Sequence, residues 1–297
     1  MSQSEHIAVM TNEVMDALQP HAGGRYVDGT LGGGTHSREL LVRSVPGGRV
    51  LSFDLDRNAI ERMKASLTPE QSKRWIGAEA NFRDMAEVIE RESFSPVDGI
   101  VIDLGLSSDE LSDPARGFSF MQDGPLDMRL GQHAQDLTAA GIVNSWKEHE
   151  LAEIIRDYGE ERMARRIAEA IVKARKSEKI YRTAQLADIV VAALPRSYEH
   201  GRIHPATRTF QALRIAVNDE LGALKEAIVG AREVLRPGGR LAIISFHSLE
   251  DRIVKQAFKG AEDLNIITKK PLIPTEEERQ NNPRSRSAKL RIAEKKG

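Results

Sequence analysis

The 297-residue chain has no cysteine. That excludes disulfides, thiolate zinc sites, iron–sulfur clusters and cysteine nucleophiles. No apolar run approaches the roughly 18–20 residues of a membrane span. The opening stretch Ser2-Gln3-Ser4-Glu5-His6 lacks the basic n-region of a secretory leader. A soluble cytoplasmic protein is the expectation. There is no internal repeat and no long low-complexity tract. Nor is there much net charge, since 43 Lys/Arg stand against 44 Asp/Glu.

What is there is ordinary globular material, 40% hydrophobic and 29% charged, long enough for about two domains of roughly 150 residues. The charge is segregated. From Glu160 to Arg208 there are eleven Lys/Arg and six Asp/Glu, and from Asn282 to Gly297 six and one. Two basic segments on an acidic body suit a polyanion such as RNA. The same charges also fit a solvated helix face and a soluble tail.

Short apolar runs flanked by turn residues read as buried parallel strands: Arg25–Asp28, Arg49–Asp54, Val97–Asp103 and Leu241–Ser245, the last after the turn Arg236-Pro-Gly-Gly-Arg240. Helical spacing lies between them, over Ser37–Ser44, Arg57–Ser66, Arg83–Arg91 and Asn218–Leu235. Strand–helix alternation predicts an α/β, doubly wound, mostly parallel sheet. The middle differs. Helices are expected over Thr138–Trp146, Glu148–Arg175 (with a break near Tyr158-Gly159) and Thr183–Leu194, the last capped by Thr183 and ended by Pro195. This is an inserted all-helical domain at 131–205, between the two parts, 1–130 and 206–297, of the α/β domain. Residues 270–288 read as an extended loop, and Ala288–Ala293 as a final strand.

The turn Asp28-Gly-Thr-Leu-Gly32-Gly-Gly-Thr-His-Ser37 joins a strand to a helix. Its glycines let backbone approach a ligand, and helix N-terminal amides favour anionic groups. Gly32 and Gly34 fit the first two places of a dinucleotide fingerprint, but Ser37 occupies the third. Asp54, about 20 residues on, suits ribose hydroxyls. Nicotinamide dinucleotides and S-adenosylmethionine (SAM) both use such a pair, and the loop does not choose between them. His200 and His204 are spaced i, i+4, but Gly201 and Pro205 oppose the helix a metal pair needs, so no metal is expected. Asp103 stands at the carboxyl end of a strand, where open α/β sheets bind ligands. After it comes an irregular stretch, Asp113–Arg129, rich in Arg, Asp, Phe and Met. Such a loop contacts substrate or packs the domain. His247 and Ser248 follow the next strand, where Ser248 either reaches a pocket or caps the next helix.

Several long stretches together resemble the bacterial small-subunit ribosomal RNA methyltransferase H (MraW) family. They are Asp28-Gly-Thr with His36-Ser37, Asp103-Leu-Gly-Leu-Ser-Ser108, Arg116–Arg129, Tyr158-Gly-Glu-Glu-Arg162, His204–Ile215, Pro237–Arg252 and Asn282-Pro-Arg-Ser-Arg-Ser287. The resemblance implies a class I SAM-dependent methyltransferase with an inserted helical domain that recognises RNA. It implies transfer to the N4 amine of a cytidine in the decoding region of 16S rRNA, within the small subunit or a late precursor, by a monomer or homodimer. The alternative is another RNA or a non-RNA acceptor. Family cofactor contacts carry over to Gly34, Thr35, His36, Asp54, Phe82 and Asp103, and to Glu110 where the family more usually has glutamine. Thr35 replaces a more usual glycine and keeps its backbone amide.

Cytosine N4 is a poor nucleophile because its lone pair is delocalised into the ring. Acceptors for its N–H bonds localise that pair. This chain lacks the Asp/Asn-Pro-Pro-aromatic loop of other amino-methyltransferases, so Asp103 and the carbonyls of Leu104–Leu106 are the expected acceptors. Ser107 or Ser108 would orient the base. Phe118, Phe120 or Phe246 would stack on it, and Arg284 and Arg286 would hold RNA phosphates.

Overall fold

The computed structural model describes residues 8–131, 137–195, 198 and 204–297, without the side chains of Ser108 and Asp109. The chain divides into two compact units, Met1–Ser107 with Leu221–Gly297, and Ser108–Glu220.

Among the described residues of the first unit, seven strands form one sheet: β1 (Arg25–Asp28), β2 (Arg49–Asp54), β3 (Trp75–Glu79), β4 (Val97–Asp103), β5 (Leu235–Ser245), β6 (Leu264–Ile266) and β7 (Lys289–Lys295). Their order is β3-β2-β1-β4-β5-β7-β6. β1 to β5 are parallel, while β7 runs antiparallel to both β5 and β6. The chain reverses direction across the sheet between β1 and β4, and that switch point is where such sheets open a crevice. Central strands are apolar on both faces: Val27, Leu51, Phe53, Ile100, Ile102 and Ile243 are fully buried on one, and Tyr26, Val50, Val101, Ala242 and Ile244 on the other.

Three strand spans match the sequence reading end for end. β5 begins six residues before the expected Leu241 and runs through Arg236-Pro-Gly-Gly. Its pairing jumps from Val97–Leu235 to Gly99–Arg240, so the supposed turn is a bulge within the strand. β3 and β6 had no counterpart in that reading. β3 is an edge strand in which only Trp75 and Ala78 are buried, and β6 is three residues long. The stretch 270–288 is not an extended loop. Thr275 caps a helix over Glu276–Asn281 by accepting from the Glu278 amide (3.1 Å), and a 3-10 helix covers Pro283–Ser287. Likewise His247, not Ser248, caps the helix Ser248–Gly260.

The second unit is helical: Ala139–Ser145, Glu148–Asp157, Ala164–Ser177, Thr183–Ala193 and Thr207–Asn218. Apolar residues at i, i+4 spacing, such as Leu151 with Ile155, Ile167 with Ile171 and Leu186 with Val190, face a common buried core. The expected break falls after Asp157, where Glu160 takes a left-handed conformation. Glu161 is buried there. It accepts from the Tyr198 hydroxyl at 2.6 Å, and burial together with that carboxylate pushes the phenol up to about 12. Thr183 does not cap its helix. Its hydroxyl accepts from the Gly124 amide (3.0 Å), and Asp123 receives the Ala184 amide instead (3.1 Å). The unit is wider than 131–205 because the stretch after Asp113 packs with these helices: Phe118, Leu126 and Met128 are buried.

Candidate cofactor cleft

The site is built at the carboxyl ends of β1 and β4. The left-handed conformations of Gly32 (φ +48°) and Gly34 (φ +77°) turn the chain from β1 into the helix Thr35–Arg43. A Cβ on Gly34 would come within 2.8 Å of Met63 Sδ. The loop is tied down from two strands, β2 and β4. The Gly29 amide donates to Val101 O (2.8 Å), Leu31 to Phe53 O (2.8 Å) and Gly32 to Asp54 Oδ2 (2.9 Å). Thr30 Oγ1 accepts from the Asp103 amide (2.7 Å), joining the ends of β1 and β4.

Beneath the loop lies a directional chain of hydrogen bonds. Trp75 Nε1 donates to Ser52 Oγ (2.8 Å), and Ser37 Oγ donates to Asp28 Oδ2 (2.6 Å). Ser37 has thereby committed its proton, so in the 2.7 Å contact between the two hydroxyls Ser52 is the donor. Asp28 is fully buried and also accepts from the Thr30 amide (3.2 Å). Burial pushes its carboxyl above the usual range.

The result is a shallow cleft, with a volume of about 30 Å³. Its walls are the loop from Thr30 to Gly32 with Thr35 and His36, then Asp103 with Gly105–Ser107, then Phe246, and finally Ala8, Val9 and Arg284. Phe246 sits over Gly105, where a Cβ would come within 2.8 Å of its ring. His36 is only 4% exposed, yet neither ring nitrogen has a hydrogen-bond partner, and Nε2 is 3.7 Å from Asp103 Oδ2. Burial opposes its charged form, but the carboxylates of Asp103, Asp28 and Glu278 outweigh that and raise its pKa. Buried His36 and half-buried Asp103 thus form an oppositely charged pair on the cleft wall.

Of the residues singled out in the sequence, the cleft brings together Thr35, His36, Asp103 and Ser107. Gly34 caps the helix behind it. Asp54 and Phe82 lie along the same sheet edge, at the end of β2 and after β3. Asp54 accepts the Gly32 and Asp56 amides and so shapes the loop. Phe82 opens the 3-10 helix Phe82–Asp84 and packs partly against the core. Glu110 lies in the helix Ser108–Ser112 of the second unit. The Ser108 side chain and His200 fall outside what is described. His204 stacks on Phe120 at 4.5 Å, and its Nδ1 accepts from the Ala206 amide. Phe118 is core. Among the described residues of the first unit, Phe246 is therefore the aromatic that lines the cleft.

Sequence reasoning missed Thr30 as a brace, the wall from Ala8 and Val9, and the place of Arg284. Thr30 had a signal, the Asp28-Gly-Thr run. Ala8 and Val9 had none, because the contact that sets them, Met10 N donating to Glu278 Oε1 (2.7 Å), spans 268 residues.

A parallel sheet ordered β3-β2-β1-β4-β5, closed by an antiparallel β7 and carrying a glycine loop with a cleft at β1 and β4, defines a class I methyltransferase. More specifically, the chain belongs to the MraW methylase family, whose model matches residues 3–296. It is 51% identical to a ribosomal RNA small subunit methyltransferase H from Synechococcus elongatus, over 99% of this chain and 96% of the relative. It is 50% identical to the protein of the same name from Deinococcus deserti, over 98% and 93%. An rRNA methylase structure from Streptococcus thermophilus shares 11% identity, with 97% and 94% of the two chains covered and a TM-score of 0.45. That loose likeness adds nothing to what the strand order defines. The methyl donor is SAM, and the glycine loop, Asp54 and the His36–Asp103 pair fit it.

Proposed function

We propose that this chain methylates 16S rRNA, at the exocyclic N4 amine of a cytidine in the decoding region, within the small ribosomal subunit or a late precursor in the cytoplasm. One observation carries the reading: identity of about half, over nearly the whole of both chains, to relatives named for small-subunit ribosomal RNA methylation. The cleft is chemically consistent with it. SAM supplies an electrophilic methyl on a sulfonium when bound. The chain's own task is alignment of an acceptor with that methyl and removal of a proton.

Gly34, Thr35 and His36 would hold the donor's amino-acid side, and Asp54 and Phe82 its ribose and adenine, with Glu110 as a further contact. Asp103 is fixed by its own amide on Thr30 and by Oδ1 accepting from the Gly105 amide (3.0 Å), which leaves Oδ2 toward His36. That carboxylate, with the carbonyls of Leu104–Leu106, would accept the N4 protons. Ser107 or Ser108 would orient the base and Phe246 would stack on it. The base must leave its own stack first.

The helical unit Ser108–Glu220 would hold the RNA. Arg162, Arg165, Arg166, Lys173 and Lys176 recur at near-helical spacing, and all five are exposed. The test is methyl transfer from labelled SAM to small subunits isolated from a strain lacking this protein, followed by nucleoside analysis. Label in N4-methylcytidine is expected. Label absent from rRNA, with SAM still bound, would sink the assignment.

A further inference from the structure

Among the described residues that line the cleft, three carry ionisable side chains: Asp103, His36 and Arg284. Arg284 was expected in a basic tail, beside Arg286. The structure separates the two. Arg286 is exposed, whereas Arg284 is half-buried and forms part of the cleft wall.

Its backbone is firmly held. The 3-10 helix Pro283–Ser287 is anchored by a fully buried Ser285, whose Oγ donates to Asn282 O (2.8 Å). The Asn282 amide donates to Glu278 O (2.6 Å), and the Glu278 side chain receives the Met10 amide. The same short segment thus sets both Arg284 and the adjoining wall of Ala8 and Val9. The cleft that Arg284 lines is shared with Thr30–Gly32, Thr35 and His36 of the glycine loop, with neither Asp54 nor Phe82 among its lining residues. Thr35 and His36, which share this cleft with Arg284, are the residues assigned to the donor's amino-acid side.

We propose that Arg284 clamps the α-carboxylate of the methyl donor. The inference rests on the SAM reading of this cleft. The amino-acid end of SAM carries one carboxylate and one ammonium. Asp103 suits the cationic side of the donor, and the carboxylate needs a cation. A guanidinium is permanently charged and matches a carboxylate with two parallel N–H donors. A cation meant to gather RNA phosphates gains nothing by being recessed beside the donor's loop.

The experiment is calorimetric binding of SAM and of decarboxylated SAM, which lacks only that carboxylate, to the wild type, Arg284→Gln and Arg284→Lys. Wild type is expected to prefer SAM by about 10- to 100-fold, the scale of one charged hydrogen-bonded contact. Arg284→Gln should lose that preference and bind the decarboxylated compound as wild type does. Arg284→Lys should recover part of it. Equal weakening of both ligands would assign Arg284 a purely structural role and overturn the proposal. Unchanged SAM affinity with a raised KM for small subunits would overturn it in favour of an RNA phosphate contact. A wild-type chain that binds no SAM would overturn the donor assignment itself.

Discussion

Two loops of this molecule look alike in sequence and behave oppositely. The glycine loop with its neighbour Asp103, and the stretch from Asp113 to Leu130, are both irregular, both carry glycine and carboxylates, and both are candidates for ligand contact. In the first, backbone bonds, the Thr30 hydroxyl and the carboxylates of Asp28 and Asp54 hold the loop, while Thr35, His36 and Asp103 line a cleft, with no hydrogen bond to the ring nitrogens of His36. In the second, the side chains are spent on the loop itself. Arg116 donates to the carbonyls of Arg129 and Leu130 (3.0 and 2.6 Å), Arg129 forks onto Asp127 (2.9 and 2.8 Å), and Asp123 pairs with Arg182. Charge in a loop marks a binding site only when the loop does not need that charge to fold.

The strongest test of this contrast is a pair of acids. Asp103→Ala should lower single-turnover methyl transfer by about 100-fold or more, since it removes a proton acceptor at the reacting centre. Asp127→Ala should leave SAM affinity unchanged and lower the unfolding midpoint instead. A similar loss of turnover in both would break the distinction.

Next in size is Asp28→Ala, which strands the Ser37 hydroxyl and the Thr30 amide in a dry site. It should cost about 2–4 kcal/mol by denaturant unfolding. Arg116→Ala, which frees two carbonyls from a charged donor, should cost about 1.5–3 kcal/mol with donor binding intact. Weakened donor binding in that variant would blur the comparison.

The smallest effect belongs to the rim of the sheet. Lys295, then Arg232, hold the Asp263 carboxyl down at about 2. A depressed carboxylate adds stability that is full above its ordinary value of 3.8 and is lost as pH falls from there toward 2. Asp263→Asn should flatten that acid limb in a series of denaturant unfolding curves.

The legible parts of the fold are those where burial is continuous. β1, β2 and β4 are central and apolar on both faces, so their ends fall where the sequence turns polar. β3 sits at an edge and is only five residues long, with Gly77 and Glu79 interrupting its apolar run, which hides it. The helix at Glu276 was announced by Thr275 with Glu278 three residues on, a capping pattern masked by the surrounding prolines. In the site, the glycine loop, His36 and Asp103 were legible because local chain direction alone places them at a strand end. Arg284 was named but misplaced, since its position depends on a bond between Met10 and Glu278. Phe118 and Phe120 were indistinguishable from Phe246 in sequence, because only packing decides which ring faces a cleft.

The interruption of the sheet unit has a consequence in time. β4 ends at Asp103 and its neighbour β5 begins at Leu235. At roughly 5–20 residues per second of synthesis, about 7–26 s separate their emergence. Through that interval Val97–Asp103 is an apolar strand with one side unpaired, the kind of edge that recruits wrong partners. The helical unit, made entirely within the gap from contacts close in sequence, is the part of the molecule free to form first. The strand on which the cleft depends must wait for it, shielded by whatever meets a nascent chain.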